Sequence, residues 1–240
     1  MLRCEQGTET RVKNNTTVLR PGKFEVHEPN LILKLQMARN HENMSQMIDI
    51  PPIRPEGHVS GQMFVGRQAL AHLDDGVILK IIELVETLSV ENKYTRSINQ
   101  EEIINQIIAD QTLIWLDNSD DNVFRLVGFC KVVPHKTPNG TLAELGSVII
   151  TPEYGGNGCG YEIVRQAVDQ WSSDEVRVTA ITNAANPANR VFCRFSPPTF
   201  AYSALENYTI HKFFSTGSLP QHIPDNLPQD LEEIKYLYIL

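Results

Sequence analysis

Hydrophobic residues recur along this chain with two periods, and the alternation between them predicts a mixed set of helices and strands. Val77, Ile78, Ile81, Ile82, Val85 and Leu88 fall on one helical face, and Ile103, Ile104, Ile107 and Ile108 repeat that spacing. Gln62 to Val65 predicts a strand before them. After them, Thr112 to Leu116 and Val123 to Val133 predict a hairpin across Asp117-Asn-Ser-Asp-Asp-Asn122, whose Asp and Asn residues favour turns. Gly140 to Thr151 predicts a central strand. Ile163, Val164, Ala167, Val168 and Trp171 then predict a helix over 160–172, ended by Ser172-Ser-Asp. Val176, Val178 and Ala180 alternate with Arg177, Thr179 and Ile181, which predicts the next strand. Asn186 before Pro187 reads as a helix cap with proline at the first helical position. Thr199 to Ala204 predicts a strand, 215–230 a long Pro-, Gly- and Ser-rich loop, and Ile234 to Ile239 the last strand. Residues 1–60 show no comparable order: prolines punctuate them, and Leu31 to Met37 predicts one short helix or strand. They read as an N-terminal extension, a dimer arm, lid or added subdomain, ahead of a domain over 61–240.

The junction between the central strand and the helix after it carries the chemistry. Glycines at 155, 156, 158 and 160 separate Val148-Ile-Ile150 from the amphipathic run. A helix start presents unpaired N–H groups and the positive end of its dipole, which suits a phosphate, and glycines let the anion lie on the backbone. A nucleoside-triphosphate loop requires Lys and then Ser or Thr after the last glycine, but Tyr161 and Glu162 follow Gly160. The dinucleotide pattern G-x-G-x-x-G fails as well, because its third glycine would fall on Tyr161 or Ile163.

What remains, Gly158-x-Gly160 on a helix start with Pro152 shortly before it, resembles the acyl-CoA loop of the GNAT superfamily of N-acetyltransferases. That family's signature is Gln/Arg-x-x-Gly-x-Gly/Ala, and Gly155 stands where the Gln or Arg is expected. The segment Asn183-Ala-Ala-Asn-Pro-Ala-Asn-Arg-Val-Phe-Cys193 is similar to the family's second motif. In it Asn186 matches the residue that bonds the pantetheine arm, and Phe192 matches the apolar position. Cys193 stands in place of the usual Tyr, and Ser196-Pro-Pro-Thr-Phe200 in place of Gly-Phe. The resemblance implies an α/β fold with a mixed, splayed central sheet flanked by helices, and acetyl-CoA as co-substrate. Carried over residue by residue, it implies cofactor contacts from Val148, Ile149 and Ile150 through their backbones. It implies the same from Gly155, Gly156, Asn157, Gly158, Cys159, Gly160 and Tyr161 around the diphosphate, and from Asn186 and Asn189 along pantetheine. The two helices before the hairpin would wall the acceptor site.

Acetyl transfer to an amine requires loss of the ammonium proton, because a lysine-like pKa of about 10.4 leaves no free nucleophile at neutral pH. It also requires stabilisation of the developing oxyanion. The resemblance makes Glu144 the candidate base; pairing with a basic residue at the strand edge is its structural alternative. Cys193 is the candidate acid by position. A thiol near pKa 8.5 gains little by protonating a thiolate of similar basicity, so a packed, inert Cys193 and a proton from Tyr202, Tyr208 or solvent stay open. His135, read in a Pro-flanked loop, and His72 before Asp74-Asp75 are expected to be exposed or capping, and no metal-ligand spacing occurs.

Composition narrows the rest. Two hundred and forty residues at 41% hydrophobic suffice for a full core. No apolar run is long enough to span a membrane, and the first residues carry no secretory signal. The four cysteines lack paired spacing, which fits a reduced, cytoplasmic protein. A net charge of −8 argues against nucleic acid and is compatible with a cationic substrate, or serves only solubility. The expected acceptor is an amine on a small molecule or a protein, and family relatives make a homodimer an expectation. Gly155 and Cys193 keep a second reading open, a non-catalytic acyl-CoA-binding or regulatory module. A structural protein that has lost the cofactor is a third.

Overall fold

The computed structural model describes residues 29–40, 52–54, 59–120, 123–203, 207–219 and 230–240. In chain order the elements are α1 (Pro29–Arg39), β1 (Gln62–Val65), α2 (Arg67–His72), α3 (Asp75–Glu91), α4 (Gln100–Ile108), β2 (Thr112–Asp120), β3 (Val123–Thr137), β4 (Gly140–Ile150), α5 (Cys159–Trp171), β5 (Val176–Asn183), α6 (Asn189–Phe192), β6 (Phe200–Ser203), α7 (Asn207–Thr216) and β7 (Ile234–Ile239). The strands make one sheet in the order β1-β2-β3-β4-β5-β7-β6. Neighbours are antiparallel except β4 and β5, which run parallel. A parallel pair needs a crossover, and α5 supplies it.

Each face of the sheet has its own helices. Phe64, Ile114, Leu116, Phe129 and Ile149 face α1 to α4, whose buried side chains include Leu35, Leu70, Ile78, Ile82, Ile103 and Ile107. Leu113, Trp115, Cys130, Leu145 and Ala180 face α5 through Ile163, Val164 and Ala167. Side chains alternate between faces along each strand, so the hydrophobic pattern fixes which helix covers which side. A third cluster, Leu142, Tyr202, Phe213 and Leu237, seats α7 at the far end of the sheet. Side-chain caps hold the starts of α3 and α4: Val77 N donates to Asp74 Oδ1 at 2.8 Å and Glu102 N to Asn99 Oδ1 at 2.8 Å.

Three features depart from the sequence reading. The segment before residue 61 is not separate throughout: Leu31, Leu35 and Ala38 of α1 are buried in the first core, and Arg39 pairs with Asp75 Oδ1 at 2.9 Å and caps carbonyls of α2. Residues 1–28 and 41–51 lie outside the described residues, as do 220–229 of the predicted loop. The β3–β4 hairpin extends four residues past Val133, which places His135 inside a strand instead of a loop. α2 and α7 escaped the periodicity argument because six and ten residues contain too few turns to establish a face; for α7, the spacing of Ile210, Phe213 and Phe214 was the available signal.

The pairing of β4 decides the site. Lys131 lies opposite Gly146 but Phe129 lies opposite Ile149, so β4 contains one extra residue there. Such a bulge bends the strand and interrupts the ladder. Ser147 occupies it with φ 48°, in the left-handed region that glycine favours. On the other side, β4 pairs with β5 only as far as Leu145↔Ala180. Beyond that point β5 continues as the partner of β7 through Asn183↔Lys235. The two central strands therefore separate, and the gap is lined by backbone.

A β-branched residue tolerates a positive φ poorly. Ser147→Val is expected to lower stability by about 1–3 kcal/mol, and Ser147→Gly to leave it unchanged or raised; urea unfolding of the three proteins checks both.

Candidate functional site

The separated strands open into two adjoining cavities. One, of about 460 Å³, is walled by the α3–α4 connection at Tyr94, Thr95 and Arg96 and floored by Glu144 to Val148 of β4. The other, of about 370 Å³, runs from Val148 and Ile150 past Gly160 to Pro187, Val191 and Phe192. Tyr94, Val148, Asn186, Ala188 and Phe192 line both, so the two form one bent channel. The wall at 94–96 is held by Ser89, whose Oγ accepts Ile98 N at 2.9 Å.

The glycine loop stands at the outer end of this channel. Tyr154 anchors its start by donating to Asp117 Oδ2 at 2.8 Å, and Thr151 Oγ1 donates to Leu126 O at 2.7 Å. Gly156 and Gly158 have φ 78° and 80°, and a Cβ at either would meet nothing within 4 Å. The chain thus turns twice through left-handed conformations and leaves open space on its outer side. The first bond of α5 is donated by Glu162 N to Gly158 O at 3.1 Å. Among the described residues, the amides of Gly156 through Tyr161 donate to no backbone carbonyl, and that of Cys159 faces its own thiol. Gly155, at φ −60°, needs no glycine conformationally. Cys159 is buried beneath the helix start, and burial pushes its thiol pKa up. Tyr161 stacks on Phe195 at 4.8 Å, with the Arg194 guanidinium 4.0 Å from its ring centre.

The two asparagine candidates behave differently. Asn186 caps the turn into α6 by accepting Ala188 N on Oδ1 at 2.9 Å, and it lines both cavities. Regular α-helix begins only at Asn189, with Ala188 as its N-cap and no side-chain cap bond, so the Asn186 bond forms an Asx turn ahead of the helix and not the predicted cap. Asn189 turns inward: its Nδ2 donates to Asn183 O, Ala184 O and Asn186 O at 2.8–2.9 Å, and its Oδ1 accepts Tyr238 Oη at 2.7 Å. Its amide is fully engaged in holding the end of β5 against α6 and β7, and it is not among the cavity-lining residues. Tyr238, fully buried on β7, went unnoticed in the sequence because Tyr236 and Tyr238 alternate like any strand aromatics.

Glu144 lies on the cavity floor, half-buried, and its Oε2 is 2.9 Å from Nε2 of His135 across the β3–β4 ladder. The Phe214 ring of α7 stacks on His135 at 4.2 Å and fixes its plane. Tyr202 is buried near this carboxylate; burial first, then the charge of Glu144, raises its phenol pKa. Lys131 lines the same floor with its side chain only 8% exposed, and donates to Glu102 Oε1 at 2.8 Å. Burial pushes the Glu102 pKa up, yet the bonds from Lys131 and Arg96 outweigh it and hold that carboxyl below its ordinary value. Cys193 is exposed rather than packed, its Sγ 3.6 Å from Tyr238 Oη. The side chain of Tyr208 lies outside the described residues. His72 ends α2, exposed, its ring 5.9 Å from that of Phe64, and it is not among the residues that line the channel. Among the described residues no three His, Cys, Asp or Glu side chains converge as a metal site, and no helix is long and apolar enough to cross a membrane.

Residues 81–195 match the sequence profile of the acetyltransferase (GNAT) family. No curated protein matches the chain in sequence. Among solved structures it resembles Arabidopsis thaliana NAA60 in complex with acetyl-CoA, at 18% identity and TM-score 0.46, over 67% of this chain and 93% of that one. It resembles an acetyltransferase (GNAT family) from Bacillus anthracis at 14% identity and TM-score 0.46, over 78% and 98%. A third likeness is Arabidopsis thaliana Naa50 with a bisubstrate analogue, at 13% identity and TM-score 0.43, over 69% and 92%. At these values the likenesses carry no residue-level correspondence.

Removing the Asn189 amide takes a donor from Ala184 O and the acceptor from the Tyr238 hydroxyl, while Asn183 O and Asn186 O keep the backbone amides of Asn186 and Asn189. Asn189→Ala is expected to lower stability by roughly 2–3 kcal/mol and Tyr238→Phe by about 1 kcal/mol. The two losses should not add, which a double-mutant cycle in urea measures.

Proposed function

This chain carries a GNAT-family acetyltransferase domain over residues 81–195, and from that premise we propose that it moves an acetyl group from acetyl-CoA to a primary amine by direct attack in a ternary complex. The observation that carries the reading is the gap between β4 and β5, continuous with a helix start that follows two left-handed glycines with open space beside them. A channel with anion donors at one end and a carboxylate at the other suits an elongated phosphorylated thioester and an amine.

In this reading the amides of Gly156 to Tyr161 and the dipole of α5 hold the diphosphate of acetyl-CoA, in open space kept clear at Gly156 and Gly158. Asn186 meets the pantetheine arm beside Val148 and Ile150. The bulge at Ser147 leaves Ser147 and Val148 without a register partner on either neighbouring strand, which frees main-chain N–H groups for the thioester oxygen. Acetyl-CoA itself supplies the activated acyl carbon. Glu144 takes a proton from the acceptor ammonium, and His135 orients that carboxylate. The amine nitrogen bonds to the carbonyl carbon and the carbon–sulfur bond breaks; the nitrogen releases its remaining excess proton to solvent, and the thiolate takes one from solvent. Cys193 and Tyr238 are left outside these steps: one is exposed, and the hydroxyl of the other is committed to Asn189. A reducing, cytoplasmic setting belongs to the proposal, since Cys193 is an exposed free thiol.

The exposed Cys193 at the position of the family's tyrosine favours one second reading, an acyl-CoA-binding module without turnover. Calorimetry with acetyl-CoA and a thiol-release assay across an amine panel separate the two: binding with release supports the enzyme, and binding without release supports the module.

Acetyl-CoA is expected to raise the melting temperature, and Gly158→Val to abolish that shift while retaining a cooperative melt. Unchanged affinity in Gly158→Val would remove the amide cradle from the site. Glu144→Gln should lower kcat at pH 7 by about 10²–10⁴-fold and leave acetyl-CoA affinity within about twofold; equal turnover across the pH range would exclude Glu144 as the base.

A further inference from the structure

The acceptor cavity carries more positive than negative charge, although the chain as a whole is at −8. Arg96, Lys131 and Lys235 line it, against Glu144 as its carboxylate. Glu102, behind the wall, is a single charge shared by two cations, Lys131 at 2.8 Å and Arg96 at 3.0 Å. Arg96 is 77% exposed and therefore largely screened, but Lys131 is almost fully buried. Burying a cation is costly unless it is paired, and a shared carboxylate pairs it only in part. Lys235 lies on the β5-side wall, half-buried on β7 opposite Asn183, and among the described residues it has no ion-pair partner. Glu144 is already bonded to His135 across the floor.

We infer that the acceptor is an amine that also carries an anionic group, with its ammonium directed to Glu144 and its anion to Lys235 and the Lys131 side of the floor. This rests on the acetyl-transfer reading for the role of the cavity, but its charge preference stands on the lining alone. A polycationic amine would meet Lys235 and Lys131 at like charge. A zwitterionic or acidic acceptor places opposite charge at both ends of the cavity. The chemistry belongs equally to a free amino acid or amino acid-like carboxylate and to a peptide N-terminus followed by an acidic side chain.

The test uses the full chain and product-like probes, so that cavity recognition is read apart from turnover. Calorimetry compares N-acetylglutamate with N-acetylputrescine, and the acidic peptide Ala-Glu-Ala-Ala with Ala-Lys-Ala-Ala, each with and without coenzyme A. At least one anionic probe is expected to bind about tenfold more tightly than its cationic counterpart, and which pair shows the preference identifies the source. Lys235→Glu should abolish or reverse that preference, while Lys235→Met should reduce it with an unchanged melting temperature. Equal or stronger binding of the cationic probes, no binding by any probe, or a preference untouched in Lys235→Glu would overturn the inference. Acetyl-CoA affinity and thiol release, measured in parallel, report separately on the acetyl-transfer reading.

Discussion

The separation of β4 from β5 is the constraint on which this site depends. Two parallel strands with free edges tend to pair along their full length, because every unpaired N–H and C=O removed from water costs energy. Pairing stops here at Leu145↔Ala180, and two devices keep it from resuming. The extra residue at Ser147 bends β4 away from its neighbour. The Asn189 amide, fastened by Tyr238, ties the end of β5 to α6 and β7. The first is backbone strain and the second a satisfied polar network, and each would be a defect if the strands were meant to close.

The gap only becomes a site because of what stands at its two ends. At one end the crossover helix starts at Cys159 just after Gly158, and the left-handed turns at Gly156 and Gly158 leave space on that side. At the other, the β3–β4 hairpin brings His135 to Glu144, and α7 presses Phe214 onto the histidine. The α3–α4 connection closes the remaining wall through Tyr94 to Arg96. The glycine turns at the helix start, the unpaired strand edge and the carboxylate held by His135 therefore come from separate stretches of chain. They meet because the fold places a crossover helix and a hairpin on the same two strands.

Charge shows why an average over the chain misleads about a cavity. The acidity of the whole molecule suits a cationic partner. The lining of the cavity beside Glu144 has the opposite balance, since Arg96, Lys131 and Lys235 are among its residues and much of the acidity is placed elsewhere. Long-range steering follows net charge, whereas discrimination at contact follows the few groups that are desolvated. The two need not agree in sign.

The sequence by itself determined the alternation of helices and strands, because hydrophobic period is local, and it determined that a helix over 160–172 starts on the glycine run, one residue from its observed start at Cys159. It also made Glu144 the residue to watch. Tertiary structure decided the rest. That Asn186 faces the channel while Asn189 faces inward depends on Tyr238, forty-nine residues further on. That His135 is a partner of Glu144 depends on how far a hairpin extends, and that Cys193 is exposed depends on where α6 ends. The burial of α1 against α4 and α2 gives part of the seemingly formless first sixty residues a place in the core. Each of these turns on contacts between residues distant in sequence, which no local pattern encodes.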